Sequence, residues 1–382
     1  MSEKEPSILD YDTVTLLDEE NALLIIDQTK LPGKIVLKKL KTAEEMWNSI
    51  YLLEVRGAPA IGVTAALGIY LLTKQVKVPQ TDTEENYRVN FAALETEFEK
   101  QKEYLDSSRP TAVNLSWALK RMDKALLSMK DRNDLLITDV KDRLRQEAES
   151  IRSEDIEVCR KIGEYGLGLL KKGDGLLTHC NAGKLATIEY GTATAPMYLG
   201  HERGYGFHIF CDETRPLLQG SRLTAFELAS AGMDVTVECD NMSASLMRTG
   251  RVQAVFVGCD RVASNGDTAN KIGTSLLALA AKRYNVPFYV CAPTSTIDMS
   301  LKSGAEIPIE QRKPEEVTEM WYKERMAPEN VKAYNPAFDV TDNDLITGII
   351  TEYGIAKEPF SESLRRIFDL KKKHQDSNVN NK

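Results

Sequence analysis

From Gly173 onward, short apolar runs alternate with amphipathic stretches at a regular spacing. Apolar runs at residues 175–178, 206–211, 234–238, 253–258 and 287–291 predict strands. Helical spacing predicts helices over 184–199, 220–231, 242–249 and 269–284. The run Ala254-Val255-Phe256-Val257-Gly258 is apolar at every position, as expected of a strand buried on both faces of a parallel sheet. Alternating βαβ units joined by short loops predict a Rossmann-like parallel sheet.

The first part of the chain reads differently. Residues 22–27 and 34–37 predict paired strands about a Leu31-Pro32-Gly33 turn. Helices are predicted over 42–55, 60–74, 87–104 and 113–128, with Pro59 and Pro110 where proline is favoured, near helix starts. Residues 77–86 are polar and read as a loop. A long charged amphipathic helix running to about residue 172 reads as a link between two lobes, and a last helix is predicted over 361–371. The fold class read from these patterns is α/β. A smaller, mostly helical N-terminal domain with a few strands covers 1–140. A Rossmann-like domain covers 141–370, and a disordered polar tail covers 371–382.

Composition narrows the function. The chain has 382 residues, 42% hydrophobic and 28% charged, enough apolar side chains for a real core. A net charge of −8 argues against a broad nucleic-acid footprint or an anionic membrane partner. The longest apolar stretch, 58–73, is too short to span a bilayer. The acidic start MSEKEPSILDYD lacks the features of a signal peptide. The six cysteines form no CxxC pair, and no carboxylate lies at metal-ligand spacing from any of the four histidines. The expectation is a reduced, cytoplasmic protein with no metal. Nucleotide motifs fail too: Asn181-Ala182-Gly183-Lys184 ends in GK but lacks the rest of a P-loop.

The candidate chemistry lies where strands end, because open α/β sheets bind ligands outside the carboxyl ends of their strands. Cys259-Asp260-Arg261 follows one strand, and a helix read as opening near Thr268 would carry Asn270 and Lys271 in its first turn. A strand-tip carboxylate beside a Lys, an Asn and a helix N-terminus suits a small phosphorylated substrate. Thr178-His179-Cys180-Asn181-Ala182-Gly183 ends another strand. There a helix N-terminus and Lys184 would make Cys180 reactive, although a buried structural thiol is the commoner case. Glu213 to Gly220 brings Arg215 and Gln219 to the same sheet edge. Arg56-Gly57-Ala58-Pro59 and Arg109-Pro110-Thr111 each place an Arg just before a helix, a pattern that suits a phosphate.

Together these segments resemble the methylthioribose-1-phosphate isomerases of methionine salvage. The matching pieces are Val55 to Ala60, Arg109 to Asn114, Thr178 to Gly183, Glu213 to Gly220, Gly258 to Thr274 and Asn335 to Asp339. They cover nearly the whole chain in the same order; Cys259 is a departure, standing where Ala is more usual. The resemblance implies a homodimer that converts 5-methylthioribose 1-phosphate to 5-methylthioribulose 1-phosphate with no cofactor. It also implies Asp260 and Cys180 as the catalytic pair, and Arg56, Gly57, Ala58, Arg109, Gln219, Asn270 and Lys271 as substrate contacts. With the anomeric carbon carrying phosphate, no free aldehyde exists, so an acid must protonate the ring oxygen. A carboxylic acid does so near neutral pH only if desolvation raises its pKa, which is the role expected of Asp260. Cys180 would handle a proton at the C1–C2 end or stabilise the intermediate. Two related isomerase activities, on 5-deoxyribose 1-phosphate or ribose 1,5-bisphosphate, remain open. A regulatory subunit of the translation-initiation exchange factor is the alternative from another class, and such subunits are expected to lack the Cys–Asp pair.

Overall fold

The computed structural model describes residues 7–77, 90–110, 112–132 and 135–380. Most of the 77–86 loop, the start of the 87–104 helix, Thr111 and the last two tail residues therefore lie outside the described residues. The chain forms two compact units, Met1–Glu157 with Leu185–Glu189, and Val158–Lys184 with Tyr190–Lys382.

In the first unit, β1 (Val14–Leu17), β2 (Ala22–Ile26) and β3 (Leu37–Leu40) form an antiparallel sheet in the order β1-β2-β3. The sequence reading omits β1 and places the third strand three residues early. Val36 still closes the ladder by accepting from the Asp27 N–H, but regular pairing with β2 begins only at Leu37. The helices are α1 (Ala43–Tyr51), α2 (Ala58–Lys74), α3 (Phe91–Asp106), α4 (Val113–Leu127) and α5 (Ile137–Leu167). α1 starts on a capping box in which Thr42 accepts from the Glu45 N–H and Glu45 accepts from the Thr42 N–H. α2 carries no charge before Lys74, and residues Ala60 to Thr73 are all buried, so it is the central helix of this unit's core. The boundary between units falls within α5, after Glu157, and not at residue 140.

The second unit contains β4 (Gly175–Thr178), α6 (Ala195–Glu202), β5 (His208–Asp212), α7 (Ala225–Ser230), β6 (Asp234–Glu238), α8 (Ser243–Arg248) and β7 (Ala254–Val257). β8 (Arg261–Ala263), β9 (Thr268–Lys271), α9 (Thr274–Tyr284), β10 (Phe288–Cys291), β11 (Ile297–Asp298) and α10 (Glu315–Thr318) follow. β12 (Phe338–Thr341), β13 (Gly348–Thr351), β14 (Gly354–Ala356) and α11 (Phe360–Asn380) complete it. The main sheet has the order β14-β13-β10-β7-β4-β5-β6, parallel except for β14. Alternate residues enter opposite cores: Leu177, Val255, Val257, Val290 and Ile349 pack on one face, Leu176, Ala254, Phe256, Cys291 and Ile350 on the other. This two-sided burial is the reason the strands read as unbroken apolar runs. A second sheet, in the order β11-β8-β9-β12, grows from the end of β7.

Three expectations need correction. Residues 184–199 are not one helix: Lys184–Ala186 is a short 3-10 turn, and α6 opens only at Ala195. Pro196 would lie deep inside the longer helix, where its ring and missing N–H break the ladder, whereas in α6 it occupies the first turn. Residues 268–271 are strand β9, not the start of a helix. Asn265-Gly266-Asp267 turns β8 into β9, with Gly266 at φ +94°, and an Asn-Gly pair between short runs is a hairpin signal. The last helix continues past residue 371 to Asn380. No helix of the described residues is long and apolar enough to cross a membrane.

Candidate functional site

The order β6-β5-β4-β7-β10-β13 reverses direction of growth between β4 and β7, the position at which doubly wound sheets open a crevice for ligands. The segments that follow those two strands are Thr178-His179-Cys180 and Gly258-Cys259-Asp260. The loops after the two strands run close together: a Cβ on Gly258 would stand 2.5 Å from the Cβ of Ala182, two residues past Cys180. Two residues 80 positions apart are thus carried to the same sheet edge by two neighbouring strands.

Cys180 is half-buried and adopts the left-handed conformation at φ 65°, as do Thr214 at 66° and Leu218 at 58°. For a β-branched residue such as Thr214 this is costly, and strain of that kind gathers at functional sites. Hydrogen bonds impose it. The Thr214 N–H donates to Asp240 Oδ1 at 2.7 Å, its hydroxyl donates to the Asp212 carbonyl at 3.0 Å, and Oγ1 accepts from the Cys180 N–H at 2.8 Å. The Thr224 hydroxyl holds the Cys180 carbonyl at 2.6 Å. The helix N-terminus expected behind Cys180 is absent, because α6 begins fifteen residues later. Cys211, Cys259 and Cys291 are packed thiols: burial pushes Cys211 and Cys291 up, and Cys259 up to about 12.

Asp260 follows β7 with its N–H donated to the Ala269 carbonyl at 2.9 Å, and its side chain is exposed. The chain around Asp260 therefore does not itself supply the desolvation that the chemistry calls for. A loop residue beyond the last ladder bond of β7 leaves the apolar layers that bury the strand itself.

Gln219 is buried at 6% exposure at the mouth of a π-helical turn, Gly220–Thr224, and its Oε1 has no hydrogen-bond partner. Such an acceptor costs about 1–3 kcal/mol unless something donates to it. Arg215, by contrast, is engaged in structure: its guanidinium donates to the Val317 carbonyl at 2.8 Å and lies 5.7 Å from the Tyr322 ring. Asn270 is buried and donates to Thr274 Oγ1 at 3.1 Å. Lys271 sits over the Phe338 ring at 4.6 Å. The α9 N-terminus that was to serve an anion is already occupied, since Asp339 accepts from the Gly273 and Ser275 N–H groups at 2.8 and 3.1 Å.

The hairpin below Asn270 hangs on Asp267, which accepts from the Gly304 and Asn343 backbones and the Asn265 and Asn343 side chains. Burial pushes this carboxyl up, but the hydrogen bonds outweigh it and hold it below its ordinary 3.8. A lowered folded value means stability that is present above pH 3.8 and lost as pH falls through the lower folded pKa. Wild type is expected to lose urea resistance between pH 5 and 3 more steeply than Asp267→Asn; parallel curves would remove this role.

In the first unit, Gly57 caps α2 at φ 92°, and a Cβ there would meet Ala186 at 2.5 Å. Gly62 of α2 lies against Asn114 of α4, a Cβ meeting the Asn114 carbonyl at 3.0 Å. The N-terminal turns of α2 and α4 are therefore neighbours, which brings Arg56, Gly57, Ala58 and Arg109 to one end of this unit.

Sequence reasoning missed His179, Asp212, Thr214, Glu227 and Asp240. Asp212, His179 and Asp240 place their ligand-type atoms within 4.8 Å of one another, a spacing invisible in the linear sequence. Those atoms are engaged already: Asp240 holds the Thr214 and Arg215 N–H groups, and Asp212 accepts from Ser243 and lies 2.8 Å from His179. Glu227 is fully buried and accepts from the Lys184 N–H at 2.9 Å; a Cβ on Gly183 would stand 1.6 Å from its Oε1. A polar residue within an amphipathic helix, at the strand-edge end, was the available signal for it.

Comparison with known proteins finds similarity over most of the chain. The model of the Initiation factor 2 subunit family matches residues 54–358. A methylthioribose-1-phosphate isomerase of Symbiobacterium thermophilum is 60% identical over 94% of this chain and 96% of its own. A 5-deoxyribose 1-phosphate isomerase of Petrotoga mobilis is 52% identical over 93% of this chain and 99% of its own. Among solved structures, 5-methylthioribose 1-phosphate isomerase of Pyrococcus horikoshii matches with a TM-score of 0.85 and 41% identity, covering 94% of this chain and 96% of that one. A chain titled translation initiation factor eIF-2B, subunit delta, from A. fulgidus matches with a TM-score of 0.82 and 39% identity, covering 94% and 99%.

Proposed function

The chain belongs to the Initiation factor 2 subunit family, and from that premise we propose that the crevice between β4 and β7 is the catalytic site of a sugar-phosphate isomerase. The activity is aldose–ketose isomerisation of 5-methylthioribose 1-phosphate to 5-methylthioribulose 1-phosphate, a step of methionine salvage. The observation that carries the site is the placing of Cys180 and Asp260 on adjacent loops at the topological switch.

Asp260 donates a proton to the ring oxygen as the C1–O4 bond breaks. The hydrogen on C2 moves to C1, the C2 hydroxyl passes its proton to water as it becomes the ketone, and Asp260 regains a proton from water. Cys180 acts at that C1–C2 end. Because Asp260 is exposed, its desolvation in this reading comes from the substrate: the bound sugar covers the carboxyl and raises its pKa. Gln219 takes a sugar hydroxyl on its orphan oxygen, and Asn270 and Lys271 contact the substrate from the second sheet. Arg56, Gly57, Ala58 and Arg109 are the proposed contacts in the first unit. A homodimer in the cytoplasm is the proposed setting, and light scattering tests the assembly.

Two tests separate the readings. Phosphorus NMR of the purified protein with 5-methylthioribose 1-phosphate, 5-deoxyribose 1-phosphate and ribose 1,5-bisphosphate should show the first turned over fastest; turnover of none sinks the enzymatic reading in favour of a regulatory subunit. The 52% relatives named for the 5-deoxy sugar favour a measurable second activity. A pocket for the methylthio group discriminates by only about 1–3 kcal/mol per missing group. Gln219→Met tests the orphan oxygen. Stability should equal or exceed wild type, because a buried unpaired acceptor is removed, while KM rises roughly tenfold with the lost hydrogen bond. Loss of stability together with unchanged KM would make Gln219 structural.

A further inference from the structure

His179, the residue before Cys180, has 1% of its surface exposed. Its Nδ1 lies 2.8 Å from Asp212 Oδ2 at the end of β5, and its Nε2 lies 2.8 Å from the Ile272 carbonyl, the residue after Lys271. A carboxylate and a backbone carbonyl both accept. A neutral imidazole has one N–H and could satisfy only one of them; the imidazolium satisfies both. The ring also lies beneath Gly273, where a Cβ would come within 2.8 Å of Cε1, so no other residue fits above it without movement.

We infer that His179 is held as a buried imidazolium whose two N–H groups tie the Cys180 loop to the Asn270–Lys271 segment, making it a positioning residue for the isomerisation. The kinetic part of this inference rests on the function proposed above; the ring state does not. The charged groups that face the ring are Asp212 from β5, Asp240 from the turn after β6, and Asp339 from β12. All three are carboxylates. Burial alone would discharge the ring, but the hydrogen bond and charge of Asp212, followed by Asp240, outweigh it and raise its pKa above the ordinary 6.5. Asp212 also begins the segment that carries Thr214 and Gln219, and Thr214 in turn holds the Cys180 N–H. One cation therefore joins the ends of β4, β5 and β9. Deprotonating it removes one of its two bonds and loosens the tie between the Cys180 loop and one of these segments, while the bonds from Cys180 to Thr214 and Thr224 stay. A raised folded pKa also makes this contribution to stability complete below pH 6.5 and lost as pH rises through the folded value.

The test uses full-length protein labelled with ¹⁵N at its four histidines, assigned by substituting His201, His208 and His374 in turn. At pH 7.5 both ring nitrogens of His179 should carry protons, and they should lose one only well above pH 6.5. The kcat of wild type should fall at alkaline pH with the same midpoint. His179→Gln should lower kcat on the order of a hundredfold, as a misplacement of about 1 Å does, with a smaller change in KM and without that alkaline limb. A ring nitrogen bare at pH 7.5 in the wild-type protein overturns the inference whether or not the variant folds. So does a variant with wild-type kcat, or one that keeps the alkaline limb. A wild-type protein that keeps the imidazolium but turns over no sugar phosphate overturns the isomerase reading and the kinetic half of the inference, and still supports the charged pin.

Discussion

Asp260→Asn is expected to lower kcat by about 10²–10⁴-fold, the usual worth of a positioned general acid, with KM changed much less. The substitution keeps the shape of the side chain and removes the proton it can give. Asp260 stands just past β7 with its backbone fixed to Ala269, so the amide should occupy the same place without disturbing the strand. A general acid has to hold its proton at the working pH, and a sugar that covers the carboxyl and removes water from it favours the protonated form. Carboxyl ¹³C NMR of Asp260, with and without a non-reacting substrate analogue, should therefore show its titration moved to higher pH in the complex. Phosphorus NMR gives turnover. Wild-type rates in Asp260→Asn, or an analogue that leaves the carboxyl titration unmoved, would end the assignment of Asp260 as the acid. Cys180→Ser in the same assay separates the two ends of the reaction: a thiol acting at C1–C2 leaves ring opening possible but slows hydrogen transfer.

Gly220→Ala should be among the most damaging single methyls in the second unit. Its Cβ would stand 1.7 Å from the Asp212 carbonyl oxygen and 2.8 Å from Thr214 Oγ1. The first is backbone at the end of a central strand and cannot rotate away, so the π-helical turn has to move. Overpacking of this kind costs about 1–3 kcal/mol. The turn begins at Gln219, and the displaced Thr214 holds the Cys180 N–H, so the damage reaches one proposed substrate contact and the proposed catalytic thiol. Urea denaturation should show the lost stability, and kcat/KM should fall further than stability alone explains when measured well below the unfolding midpoint. A variant with wild-type stability and activity would mean that this turn is far softer than its packing implies.

Particular segments show where linear reading succeeded. Gly175–Thr178 and Asp234–Glu238 are strands over the residues expected, β7 is one residue shorter at each end, and β10 starts one residue later. Local signals sufficed there, because two-sided burial writes itself into a short sequence as consecutive apolar side chains. The helix expected from residue 269 failed for the opposite reason. Thr-Ala-Asn-Lys can begin a helix by its own preferences, and it becomes a strand because β8 and β12 offer it hydrogen bonds on both sides. The same override moved Asn270 and Lys271 from a helix turn to a strand and gave the α9 N-terminus to Asp339.

By itself the sequence determined the βαβ rhythm of the second unit, the strand ends on which Cys180 and Asp260 sit, and the glycines that let those ends approach. Each is a property of a few neighbouring residues: apolar periodicity, a turn, a missing Cβ. Only the tertiary structure decided that β4 and β7 are neighbours, that His179 meets Asp212 and Ile272, that Gln219 is left with an unpaired oxygen, and that Asp260 faces solvent without ligand. These depend on strand order and on burial, which are set by the free energy of the whole packed sheet and leave no mark in the spacing along one chain.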